Sequence, residues 1–181
     1  MVRSLFAALA VFAAGCHRMN ASVFDESVGL NGGFEVVQQG LPVNWLVYAP
    51  GTLPAGDYDL VIDTLDYKEG RQSLRFDVRA CSPNGGWYSP GFSRELKATP
   101  GTTYTVGFWV KNDGAEYLVR IGGVSATEGA YETIVRSRAS LSAWTHHEHR
   151  YTVPSGFDRI RLEVNVVGPG VFRIDDISIT E

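Results

Sequence analysis

Cysteine is scarce in this chain. There are two, Cys16 and Cys81, too few for a framework of disulfides. Long apolar runs are missing too: apart from Leu5 to Ala14, none approaches the roughly 20 residues of a membrane-spanning helix. Basic residues are outnumbered, 16 lysines and arginines against 20 aspartates and glutamates. A net charge of -4 argues against a nucleic acid as partner, since that class needs a basic stripe to displace counterions, although local patches can oppose the net sign. The catalytic signatures are absent as well. No Gly-x-Ser-x-Gly elbow, His-Glu-x-x-His helix, phosphate-cradling glycine loop or nucleophilic Cys-His arrangement occurs, so no enzymatic activity is expected. After residue 16 there is no convincing period of 3.6, which argues against a helical fold.

What the sequence does have begins at its start. Arg3 supplies a positive n-region, Leu5 to Ala14 a short apolar stretch, and Ala13-Ala14-Gly15 a small-residue cleavage site before Cys16. This resembles a bacterial lipoprotein signal. The resemblance implies export, acylation of Cys16 and attachment to the cell envelope, on the periplasmic side or at the surface, through a lipid anchor. An ordinary secretory leader cut nearby would export the chain equally. Residues 17–28 lack periodicity and read as a tether, leaving residues 29–181 as one domain, expected to be a monomer. Cys81 is then a lone thiol, expected to be buried and inert.

Alternating apolar and polar residues appear at Ser73 to Arg79, Tyr104 to Lys111, Tyr117 to Ile121, Ile160 to Val166 and Val171 to Ile179. Twenty glycines and eight prolines punctuate them, as a fold of many tight turns requires. Antiparallel strands with one apolar face must bury it against a second sheet, so the fold class is all-β, a two-sheet antiparallel β-sandwich. Several sequence words occur in order: Asn31-Gly32-Gly33-Phe34-Glu35, Pro42-Val43-Asn44-Trp45, Glu69-Gly70-Arg71-Gln72-Ser73-Leu74, Pro100 to Lys111, Trp144 with Tyr151-Thr152-Val153-Pro154, and Gly168-Pro169-Gly170 leading to Ile174-Asp175-Asp176-Ile177-Ser178-Ile179. Together they resemble carbohydrate-binding modules of the family 4, 9 and 22 type. The resemblance implies a galactose-binding-like jelly roll, a polysaccharide or glycan as partner, and a structural calcium ion.

The calcium expectation can be tested against the strand pattern. Phe172 and Ile174 share one parity while Ile177 and Ile179 share the other, so a β-bulge at Asp175-Asp176 must shift the pleat and turn a carboxylate aside. By resemblance the partner carboxylate is Glu35, with carbonyl oxygens from the Gly33 region and the Glu69 to Gln72 turn. Alternatively, Asp175 and Asp176 cap a turn or pair with Arg173.

Ligand contacts are sought on outward faces. With Tyr104, Val106, Phe108 and Val110 as one core row and Ile160, Leu162, Val164 and Val166 as another, Trp109, Lys111, Arg161, Glu163 and Asn165 point outward, with Arg120 from the neighbouring run. If these strands share one sheet, as the family's arrangement implies, they form one face suited to a sugar, which offers an apolar C–H surface and a rim of hydroxyls. Trp87 and Tyr88, in a glycine- and proline-rich loop, are candidates for a second wall; alternatively, Trp87 plugs the end of the sandwich. Trp45 and Trp144 are expected in the core. His147 and His149 share a strand face without a third zinc ligand in view. The acidic stretch Asp57, Asp59, Asp63, Asp66 and Glu69 reads as solvated charge. Two other functions stay open on this fold: a structural or protein-interaction lipoprotein, for which Trp109 and Trp87 would be covered, and a small glycan-processing enzyme, which needs convergent carboxylates or histidines.

Overall fold

The structure, a computed structural model, describes residues 23–48 and 56–181. The leader, Cys16 and the first part of the expected tether lie outside the described residues. Residues 23–28, also expected in the tether, are instead docked on the domain by Asn44. Its backbone N–H donates to the Val23 carbonyl at 2.8 Å. Its side-chain amide donates to the carbonyls of Asp25 (2.6 Å) and Gly29 (2.8 Å) and accepts from the Asp25 N–H at 2.7 Å. A short 3-10 turn at Glu26–Val28, capped by the Asp25 side chain, completes the segment.

Two short strands, β1 (Val37–Gln38) and β2 (Leu41–Pro42), make a hairpin. The other ten form two five-stranded antiparallel sheets. The first runs β10 (Leu141–Thr152), β7 (Thr103–Asp113), β12 (Gly170–Thr180), β5 (Ser73–Cys81), β4 (Gly56–Asp63). The second runs β3 (Leu46–Tyr48), β6 (Gly91–Lys97), β11 (Arg159–Val166), β8 (Tyr117–Val124), β9 (Gly129–Ser137). The expected all-β sandwich is thus the observed one. Both core rows read from alternation, Tyr104 to Val110 and Ile160 to Val166, are buried between the sheets.

Aromatic rings seal one end of this core. Trp45, fully buried as expected, packs edge-on against Phe92 at 5.1 Å and beside Phe34 at 5.8 Å, and its indole N–H donates to the Asn31 carbonyl. Phe76 of the first sheet stacks on Phe92 of the second. Cys81 is a half-buried free thiol whose pKa is raised by burial and then by the Glu116 carboxylate.

Trp144 departs from expectation. It is half-buried and outside the core, on the outer side of β10, where its indole N–H donates to Asp66 at 3.2 Å. Its neighbour Thr145 pairs with the inward Val110, so Trp144 has the outward parity.

The expected bulge in β12 is present. Asp175 pairs with Trp109 and Ser178 with Gly107, so three steps on β12 oppose two on β7, and Asp176 adopts φ 48°. Phe172, Ile174 and Ile177 all remain buried across the shift.

Candidate functional site

The outer face of the second sheet forms a grid set by strand register. One row runs Tyr48, Gly91, Asn165, Leu118; the next runs Leu46, Ser93, Glu163, Arg120; a third runs Glu95, Arg161, Gly122, Tyr131. Glycine is needed at Gly122. A Cβ there would lie 2.4 Å from the Ala130 carbonyl and 2.8 Å from the Tyr131 ring, so its absence allows that ring to lie beside the row.

The middle row carries a buried charge. Glu163 is 3 % exposed. One carboxylate oxygen accepts from the Arg120 guanidinium at 2.5 Å and the other from the Tyr48 hydroxyl at 2.9 Å. Burial, followed by the Glu163 charge, pushes the Tyr48 phenol well above its ordinary pKa, so it stays a donor at any physiological pH. Arg120 also lies over the Tyr131 ring at 5.3 Å. In the third row Arg161 grips Glu95, which also accepts from Arg159 at 3.0 Å.

Above the first row lies the 82–90 loop, fastened by Asn165. That side chain is fully buried; its Oδ1 accepts from the Gly86 N–H at 2.8 Å and its Nδ2 donates to the Gly86 carbonyl at 3.1 Å. Ser89 adds bonds within the loop, accepting from the Gly85 N–H and donating to the Ser82 carbonyl. The loop thereby presents Trp87 and Tyr88, 56 % and 57 % exposed, with Trp87 centred 5.0 Å from the buried Tyr48 ring. Trp87 therefore does not plug the sandwich. The arrangement is an aromatic shelf beside a floor of fixed, mutually neutralised donors and acceptors, suited to an uncharged, hydroxyl-rich ligand with apolar faces.

The structure divides the expected ligand set. Trp87, Tyr88, Arg120, Arg161 and Glu163 come together, but Asn165 holds the loop from beneath and is sealed from ligand. Trp109 and Lys111 lie on the opposite sheet. Strands β7 and β8 are consecutive yet belong to different sheets, because residues 114–116 cross the edge of the sandwich, with Ala115 buried and its carbonyl bound by Asn112. There Trp109 is partly covered by the Lys68 ammonium at 4.4 Å and by His146 at 4.8 Å, and Lys111 pairs with Asp66 at 2.7 Å.

Tyr48, Ser93, Glu95 and Tyr131 share this face with Glu163, Arg120 and Arg161, and sequence reasoning did not single them out. Tyr131 sits on an edge strand that is mostly exposed, so no apolar rhythm marked it in the sequence.

The acidic stretch is largely taken up in ion pairs. Asp57 and Asp59 hold Arg79, Asp63 holds Arg75 and Arg173, and Asp66 holds Lys111. His147 stacks on Phe108 and His149 meets Glu132 at 2.5 Å across the sheet edges. Among the described residues no three His, Cys, Asp or Glu side chains converge as metal ligands.

Glu35 and Asp175 nevertheless meet at one junction. Asp175, fully buried, accepts from the backbone N–H groups of Lys68, Glu69 and Asp176 at 2.7 to 3.0 Å. Glu35 accepts from those of Arg71 and Gln72. A Cβ on Gly33 would lie about 4 Å from an oxygen of each carboxylate. Burial pushes the Asp175 carboxyl up despite those N–H donors, and neither it nor Glu35 has a cationic side-chain partner among the described residues. Two carboxylates without a cationic partner are the donor type a calcium ion takes; Asp176 does not complete a three-carboxylate set.

Comparison with known proteins agrees with this architecture. No curated protein matches the chain in sequence. Among solved structures, the CBM22-1 xylan-binding domain of Paenibacillus barcinonensis Xyn10C is 13% identical with a TM-score of 0.59, over 82% of this chain and 90% of that one. The C-terminal family 22 carbohydrate binding module of Clostridium thermocellum Xyn10B is 18% identical with a TM-score of 0.57, over 82% and 90%. The CBM22-1–GH10 modules of the Clostridium thermocellum xylanase Xyn10B, complexed with xylohexaose, give 19% and 0.58, over 76% of this chain but only 26% of that one. At these identities the likeness concerns the fold. The family model described as carbohydrate binding domain matches residues 29–170, and the chain belongs to that family.

Proposed function

We propose that the groove beside Trp87 and Tyr88 binds xylan without catalysis. The observation that carries this is the exposed aromatic pair on a loop clamped directly above the Tyr48–Glu163–Arg120 floor. A structural lipoprotein on this fold has no use for such a shelf, whereas a sugar ring stacks on it while its hydroxyls meet the polar rows. The choice of xylan is supported by the similar structures described as xylan-binding or complexed with xylohexaose. The net-neutral pairing of Arg120 with Glu163 favours an uncharged polysaccharide over a polyanion.

Two further elements complete the reading. Glu35 and Asp175 hold a calcium ion that ties the start of the domain to its end. Cys16 carries the lipid that fixes the exported domain to the cell envelope. The deciding experiment is retention on insoluble xylan. The unaltered domain is retained, and Trp87→Ala, with an unchanged melting temperature, loses affinity by about thirtyfold or more. No retention of either protein refutes the xylan assignment, and equal retention of the two refutes the groove as its site.

A further inference from the structure

We propose that Phe24 forms the end wall of the glycan groove, a subsite supplied by the N-terminal segment that precedes the part of the chain matched by its family. The inference rests on the reading of the groove as a xylan site and extends it. Strand β3 begins only at Leu46, opposite Ser93, so the edge of β6 beyond Ser93 has no partner strand. A depression of about 280 Å³ opens there, lined by Phe24, Leu46, Ser93, Arg94 and Glu95. Leu46, Ser93 and Glu95 belong to the grid that carries Glu163 and Arg161, which places this depression beside those rows.

Its chemistry repeats that of the main site. Phe24 is 58 % exposed, an unusual state for a phenylalanine in a segment held so firmly. The Asn44 bonds to the neighbouring Val23 and Asp25 fix its backbone, and the Arg94 guanidinium, bound to the Asn44 carbonyl, packs against the ring 5.2 Å from its centre. Phe24 and Leu46 supply apolar surface, while the Ser93 hydroxyl, already a partner of Tyr48, and the Glu95 carboxylate supply hydrogen-bonding groups. From β3 to β9 the floor crosses four inter-strand spacings, about 19 Å. That span suits a chain of several sugars better than a short oligosaccharide. The family match begins at residue 29, so Phe24 lies outside the matched residues.

The test compares xylotriose with xylohexaose by calorimetry on the unaltered protein, Phe24→Ala and Phe24→Leu. The leucine variant keeps apolar cover over Arg94 but removes the ring. Both variants are expected to melt with the unaltered protein, to lose roughly two- to tenfold in affinity for xylohexaose, and to show a flatter rise in affinity from the shorter to the longer sugar. An unchanged length dependence in two folded variants overturns the subsite while leaving the groove intact. If the unaltered protein binds neither sugar, the xylan reading falls and the subsite with it.

Discussion

Asn165 offers a direct test of how the site is built, because it holds the binding loop without reaching the ligand. Replacing it with alanine removes two hydrogen bonds to the Gly86 peptide, at 2.8 and 3.1 Å. At about 0.5 to 1.5 kcal/mol each, their loss costs roughly 1 to 3 kcal/mol. The Gly86 peptide is half-buried and can recover water, which favours the lower part of that range. For a domain of this size the melting temperature should fall by about 2 to 10 °C. The larger consequence is for binding. Apparent affinity scales with the fraction of molecules whose loop is already docked, and the bonds of Ser89 together with the Trp87–Tyr48 packing retain part of that order. Affinity for xylohexaose should therefore fall by about threefold to thirtyfold. Calorimetry gives the affinity, and hydrogen exchange of the Gly85 to Ser89 amides, measured without ligand, reports the loop. Faster exchange accompanied by weaker binding is the expected pair. Unchanged binding refutes the idea that this clamp positions Trp87; weaker binding with unchanged exchange means that Asn165 meets the sugar itself.

Other expectations follow from the same contacts. Trp45→Ala should cost about 3 to 5 kcal/mol through the cavity it leaves, seen as a large drop in melting temperature that Trp87→Ala does not share; equal drops would make Trp87 a core residue. Asp63 is pushed up by burial, but the Leu65 N–H, Arg173 and Arg75 outweigh this and hold its carboxyl below the usual value. Its contribution to stability is thus present above about pH 4 and lost as pH falls through the depressed pKa. Denaturant titrations at stepped pH should show an acid decline that Asp63→Asn reduces, and an identical decline in the variant would be inconsistent with that role. A calcium ion at Glu35 and Asp175 binds only the folded state, so chelation should lower the melting temperature and added calcium restore it; indifference to both rules the ion out. Cys16→Ser should release the protein from the membrane fraction of cells, and unchanged fractionation would remove the lipid anchor.

Alternation made the interior legible. Tyr104 to Val110 and Ile160 to Val166 each have one apolar face, and parity alone places their side chains inward. Parity does not say which sheet a strand joins. Trp109 and Arg120 both point outward, yet they point away from each other because the chain between them crosses from one sheet to the other at residues 114–116. That crossing depends on contacts from Asn112 to Ala115 and Ala139, one of them 27 residues away, which no local pattern records. The edge strands β9 and β10 were obscure for a different reason: much of their surface is exposed, so Tyr131 lacked an apolar rhythm around it. Asn165 was recognisable as outward-facing, but its role depends on a loop that folds back over it.

The bulge in β12 has a consequence in the arithmetic of chain length. A strand without Asp176 would run Phe172, Arg173, Ile174, Asp175, Ile177, Ser178, Ile179, an unbroken alternation that keeps Ile177 on the same face as Phe172 and Ile174. The extra residue is therefore not required by the core. It occupies a left-handed conformation that is unfavourable for a residue with a side chain, and what it secures is the meeting of Asp175 with the Lys68–Glu69 turn and of the Ile177 N–H with the Gly32 carbonyl. Deleting this single residue would separate the two tasks of the strand, leaving a sandwich whose interior is complete and whose first and last segments are no longer joined.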